Sequence, residues 1–177
     1  MSSENVAAGE RPVQEISTTV NGTAVTAEVE PRLKLSDFLR HHQDQRSVRV
    51  GCEHGVCGAC TVLADGNPLK SCLRYAVQAD GMKIETVESL ADDEGLHPVQ
   101  EAFHEEHALQ CGFCTSGLLM ATTALLEENP DPSREEIKEG LAGNICRCTG
   151  YQNIVQSIES AAEKIDHSTE VSAGGDD

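Results

Sequence analysis

Hydrophobic and polar positions change their rhythm once along this chain, near residue 90. Before that point the apolar residues alternate. Ile16, Thr18 and Val20 share one side up to Asn21-Gly22, and Val25, Ala27 and Val29 share one side after it, which predicts a hairpin closed by a type I′ turn. Leu35, Phe38 and Leu39 then recur at helical spacing and predict a helix laid on one face of a sheet. Thr61 to Ala64 reads as a strand, Asp65-Gly66-Asn67-Pro68 as a turn, and Met82 to Val87 as a last strand after Asp80-Gly81.

From Glu88 to Gly95 the chain turns acidic and the alternation stops. Everything beyond reads helical. Pro98 opens a helix with Val99, Ala102 and Phe103 on one face. A second spans about Cys114 to Glu127, with Leu118, Ala121 and Leu125 on one stripe and Leu119, Thr122 and Leu126 beside it, and Asn129-Pro130-Asp131-Pro132 ends it. Ser133 with Glu136 is a capping box for a third helix, which carries Ile137 and Leu141 and stops near Gly143. Ile154, Ile158, Ala161 and Ile165 form the stripe of a fourth. The segments at 1–14 and 167–177 are polar, lack periodicity and are expected to be loose. This divides the chain into a mixed domain at 15–88, a linker at 89–95 and a helical domain at 96–166.

Two small domains within 177 residues have thin cores, and with no Trp and only five Phe and Tyr residues they need metal staples. The eight cysteines supply two sets of four. Net charge is -17, from 30 acidic against 13 basic side chains, so nucleic acid and anionic membranes are poor partners. Carboxylates are spread through the whole chain, and the lysines number only five. That distribution predicts a halophilic protein, in which concentrated salt screens the self-repulsion. No apolar run is long enough to span a membrane. The N-terminus shows no apolar export segment, so a reducing, cytoplasmic location is expected for eight unpaired thiols.

Gly51 to Cys60 reads GCEHGVCGAC and places Cys52, Cys57 and Cys60 at the spacing C-x4-C-x2-C, with Cys72 following as a fourth thiol. This is the plant-type [2Fe-2S] pattern, in which three ligands sit on one tight loop and the last returns from beyond it. Gly51, Gly55 and Gly58 are expected to accept left-handed dihedrals and bring backbone N–H groups to the sulfurs. A zinc knuckle pairs two well-separated C-x2-4-C units, which this crowding does not resemble. Two strands, a helix and further strands around a peripheral loop give the order of a β-grasp ferredoxin. The fold class is therefore α+β: a plant-type ferredoxin domain followed by an all-α four-helix bundle.

The second set is Cys111, Cys114, Cys146 and Cys148, a C-x2-C and a C-x-C separated by 31 residues. Spacing alone fits zinc as well as iron. The surrounding residues are more specific. Gln110-Cys111-Gly112-Phe113-Cys114-Thr115 and Gly143-Asn144-Ile145-Cys146-Arg147-Cys148-Thr149-Gly150-Tyr151, with Gly51 to Val62, resemble the small iron–sulfur subunit of the xanthine oxidase family of molybdenum hydroxylases. The resemblance covers about residues 15 to 165. It implies one [2Fe-2S] cluster on Cys52, Cys57, Cys60 and Cys72 and another on Cys111, Cys114, Cys146 and Cys148. It also implies a large subunit with molybdopterin, often as its cytosine dinucleotide, a medium subunit with FAD, and a dimer of such heterotrimers. Gln110 would hydrogen-bond the pterin, and Cys148 would be the ligand nearest it. The chain itself would relay electrons without turning over substrate.

Duller roles are expected for the neighbours. His54 reads as an exposed loop residue, Arg147 as a surface residue, Phe113 as packing against the bundle and Asn144 as hydrogen-bonding its own turn. His97, His104 and His107 are assigned no role. Glu53-His54-Gly55, where carbon monoxide dehydrogenase small subunits more often carry an Asp-Thr-Ser-like sequence, weakens that substrate and leaves aldehydes, purines and other nitrogen heterocycles open. Two other functions compete: a free two-cluster ferredoxin, and a zinc-stapled interaction module.

Overall fold

The computed structural model describes residues 11–93 and 95–173, with side chains through Ile165. Of the segments expected to be loose, 1–14 and 167–177, residues 1–10 and 174–177 lie outside the described residues. Strands β1 (Gln14–Val20) and β2 (Thr23–Val29) form the expected hairpin, in register Ile16 to Ala27 and Thr18 to Val25. Its turn has φ 48 at Asn21 and 77 at Gly22, the pair of positive values that a type I′ turn requires. Helix α1 (Leu35–Asp37) runs into a π-helical turn, Phe38–His42, that buries Phe38 and Leu39 completely.

Strand β3 (Thr61–Ala64) pairs antiparallel with β4 (Asn67–Lys70) and with β5 (Lys83–Glu85), while β5 runs parallel to β1. The mixed sheet has the order β2-β1-β5-β3-β4. One expectation fails here. The reversal is confined to Asp65 and Gly66, at φ 50 and 79, and Asn67-Pro68 already belongs to β4. Pro68 is tolerated because β4 is an edge strand, where its missing N–H interrupts no ladder.

Helices α2 (Pro98–Glu105), α3 (Thr115–Glu128), α4 (Arg134–Gly140) and α5 (Gln152–Ala173) build the second lobe. Ser133 and Glu136 form the capping box, and α4 stops at Gly140 rather than near Gly143. The backbone helix of α5 continues to Ala173, past the expected end at 166, and β1 begins at Gln14, inside the segment expected to be loose. The helical core gathers Val99, Phe103, Leu118, Ile137, Ile154 and Ile158, while Ile16, Phe38, Leu39, Val62 and Ile84 centre a separate core under the sheet. Phe38 and Phe103 are the fully buried aromatic residues of the two cores, each contributing about 2 to 3 kcal/mol by burial.

Helix α3 stands between these cores. Leu118, Leu119 and Leu126 face the helices, but Gly117, Met120, Thr122 and Thr123 are buried as well. A helix apolar all round is an interior helix. Here its second face lies on β3, whose four residues are all buried although Val62 and Ala64 alone face the core under the sheet.

Candidate metal centres

The first quartet is built around one loop. Glu53, Gly55 and Gly58 take φ of 56, 80 and 73, so successive N–H groups turn inward and form a nest. Cys57 N donates to Cys52 Sγ at 3.4 Å. The N–H of Cys57, with those of His54 and Val56, lowers the Cys52 thiol to about 6. Cys60 and Cys72 form the other half of the site and are buried. Burial, then contact with the Cys60 thiol, pushes Cys72 up to about 11. Gly51 is not left-handed, contrary to expectation. It serves closeness instead: a Cβ there would stand 3.2 Å from both Cys57 Sγ and the Phe113 ring.

The second quartet is assembled by helix packing. Cys111 and Cys114 lead into α3, and Cys146 and Cys148 lie in the turn between α4 and α5. Cys111 Sγ and Cys148 Sγ approach to 3.5 Å and are exposed, while Cys146 is buried. Burial, then the Cys146 thiol, pushes Cys114 up to about 12. The turn is fixed by Tyr151, at φ 68, whose hydroxyl accepts from Cys146 N at 2.7 Å and donates to Asn144 O at 3.1 Å.

In both lobes the thiols therefore meet as pairs: Cys52 with Cys57, Cys60 with Cys72, Cys111 with Cys148 and Cys114 with Cys146. Among the described residues, no three His, Cys, Asp or Glu side chains close around a single ion. Two plus two is the donor set of a binuclear centre in which each iron takes two thiolates, and backbone N–H groups aimed at sulfur suit anionic ligands.

Comparison with known proteins agrees with this reading. Residues 18–91 match the family described as "2Fe-2S iron-sulfur cluster binding domain", and residues 86–159 match "[2Fe-2S] binding domain". The nicotine 6-hydroxylase small subunit of Paenarthrobacter nicotinovorans is 54% identical over 151 residues, covering 85% of this chain and 91% of that protein. The chain belongs to the small iron–sulfur subunits of the xanthine oxidase family of molybdenum hydroxylases. The caffeine dehydrogenase subunit gamma of Pseudomonas sp. (strain CBB1) is 55% identical over 151 residues, covering 83% of this chain and 90% of the relative. The quinoline 2-oxidoreductase structure from Pseudomonas putida 86 superposes with a TM-score of 0.84 at 48% identity, covering 88% of this chain and 97% of the matched chain.

Several neighbours of this small subunit's thiols sit where sequence did not place them. Phe113 does not pack into the bundle; it is 46% exposed and lies across the lobes against Gly51. Asn144 does more than close its own turn. It is 3% exposed, and its Nδ2 donates to Gly58 O at 3.1 Å in the other lobe. Beside it Ile145 N donates to Cys57 O at 2.9 Å, and Lys70 Nζ donates to Asn144 Oδ1 at 3.0 Å. Sequence reasoning missed Lys70 altogether; a lysine closing a strand two residues before a ligand is the only local signal it leaves. His54 and Arg147 are exposed as expected, and Gln110 stands exposed beside Cys111. His97 is the N-cap of α2, its Nδ1 accepting from Val99 N at 3.2 Å. No helix among the described residues is long and apolar enough to cross a membrane.

Proposed function

We propose that Cys52, Cys57, Cys60 and Cys72 hold one [2Fe-2S] cluster and that Cys111, Cys114, Cys146 and Cys148 hold the second. Each bound cluster supplies one-electron chemistry, which lets this subunit relay between two-electron centres: molybdopterin in a large subunit and FAD in a medium one. The chain's own residues bind and orient. Loop N–H groups stabilise anionic sulfur at Cys52, the Tyr151 hydroxyl fixes the turn at Cys146, and the seam through Asn144 and Ile145 sets the spacing of the two ligand sets. The observation that carries this reading is the two-plus-two approach of the thiols in both lobes.

Gln110 and Cys148, exposed beside Cys111, are assigned to the pterin side of the assembly. Two such heterotrimers pair in the cytoplasm. The substrate is a nitrogen heterocycle, since the relatives described above are named for nicotine, caffeine and quinoline.

Iron and sulfide analysis with EPR on the anaerobically purified complex tests the assignment. Four irons and four sulfides per chain with two distinct reduced signals are expected, on the order of two irons for each set of four thiolates. Cys57→Ser should remove one signal and Cys114→Ser the other. Colourless protein containing zinc would establish the interaction module instead, and a stable monomer purified without large or medium subunits would favour the free ferredoxin. Turnover of aldehydes but of no nitrogen heterocycle by the complex would overturn the substrate assignment.

A further inference from the structure

Lys70, the last residue of β4, is a half-buried cation that makes no ion pair with a carboxylate among the described residues. Among the described residues Lys34, Lys138 and Lys164 each pair with Glu, whereas Lys70 Nζ donates to two neutral acceptors, Thr61 Oγ1 at 2.9 Å and Asn144 Oδ1 at 3.0 Å. An ammonium withdrawn from water requires a compensating negative charge. The first quartet is adjacent: Lys70 pairs with Thr61 in the register of β3 and β4, next to Cys60, and stands two residues before Cys72. Thr61 follows Cys60 and donates to Gly58 O at 2.6 Å, so the lysine head lies over the segment that runs from Cys57 to Thr61.

The second lobe clamps it there. A Cβ at Gly143 would stand 3.3 Å from Nζ, and Asn144 is itself fixed by Gly58 O. The cation beside the helical quartet, Arg147, is exposed, so water and salt screen its charge. Adding one electron to a four-thiolate [2Fe-2S] centre makes it more negative by one charge, with no proton bound and no bond to a leaving group broken. A fixed cation beside one of two such centres favours that centre's reduced form.

We infer that Lys70 is the counter-cation of the cluster held by Cys52, Cys57, Cys60 and Cys72, a positioning residue that Asn144 holds in place and that raises this cluster's reduction potential relative to the helical one. The inference rests on the ligand assignment proposed above. Lys70 therefore biases the electron toward the N-terminal lobe.

The test is an EPR-monitored dithionite titration of the full-length, cluster-loaded chain, with the signals assigned through Cys57→Ser and Cys114→Ser. Lys70→Met should lower the reduced-to-oxidised ratio of the N-terminal cluster about tenfold at a fixed applied potential, a downward shift of about 59 mV for one electron. The helical cluster should move by less than about twofold, and Lys70→Arg should restore the wild-type value to within about twofold. Should Lys70→Met fail to load both clusters, Lys70→Gln makes the same comparison. An unchanged ratio, equal shifts in both clusters, or an Arg variant displaced as far as Met would each overturn the assignment. Wild-type protein without iron and sulfide would instead overturn the ligand reading, so the two failures are distinguishable.

Discussion

The two lobes solve one coordination problem by opposite means. In the N-terminal lobe three thiols lie within nine residues, and the loop that carries them supplies its own left-handed turns and inward N–H groups. In the helical lobe the two pairs come from turns 31 residues apart and meet only because α3, α4 and α5 pack. The first site is a property of local chain conformation; the second is a property of a core. Damage far from the metal should therefore reach the second site and spare the first.

The largest effect is expected from Phe103→Ala, which empties the centre of the helical core and costs roughly 3 to 5 kcal/mol. On heating, the helical cluster's EPR signal should disappear well before the ferredoxin signal. Simultaneous loss would show that the lobes unfold as one.

Gly117→Ala comes next and attacks the contact between them. A Cβ there would stand 2.2 Å from Gly58 O, a backbone atom, so a loss of about 2 to 4 kcal/mol is expected by thermal denaturation. Gly66→Ala makes a control: it meets nothing within 4 Å and its φ of 79 alone should cost only about 1 to 2 kcal/mol.

Ser133→Ala removes a cap that belongs wholly to α4 and should cost about 1 kcal/mol, without altering either cluster signal. Glu88 sharpens the comparison through pH. Burial raises its pKa, but hydrogen bonds from Ser47 and Thr86 overcome this and hold the carboxyl below its usual value. Its contribution is complete above the ordinary 4.5 and is lost as pH falls through the lower folded value. Glu88→Gln should therefore flatten the fall in melting temperature as pH drops below 4.5.

The smallest local effect is Arg134→Ala, which breaks a partly exposed pair with Glu159 at 3.0 Å and should cost about 0.5 kcal/mol at low salt. In molar KCl that difference should vanish while the melting temperature of the wild-type chain rises, because its net charge of -17 is screened. A melting temperature independent of KCl would remove the case for halophily.

What sequence could and could not disclose follows the same division. Asn21-Gly22, Ser133 with Glu136, and the spacing of Cys52, Cys57 and Cys60 are local devices whose geometry is written in adjacent residues. Strand β4 was hidden because Pro68 reads as a turn residue unless the strand is known to be at an edge. Phe113, Asn144 and Lys70 were misplaced or missed because each acts across the seam, on residues that only the folded chain brings near. Even the two stripes on α3 were visible while their meaning was not: a helix with a partner on each side looks, in sequence, merely hydrophobic.

That sandwiched helix limits how the molecule can be taken apart. A cut in the connecting stretch around residue 90 would strip the sheet of its cover, leaving Gly58 and the outer face of β3 open to water, and would leave half of α3 unsheltered on the other fragment. Although the chain carries two sets of four thiols and two cores, each half ends on a face shaped for the other, and transplanting either one would mean resurfacing that face.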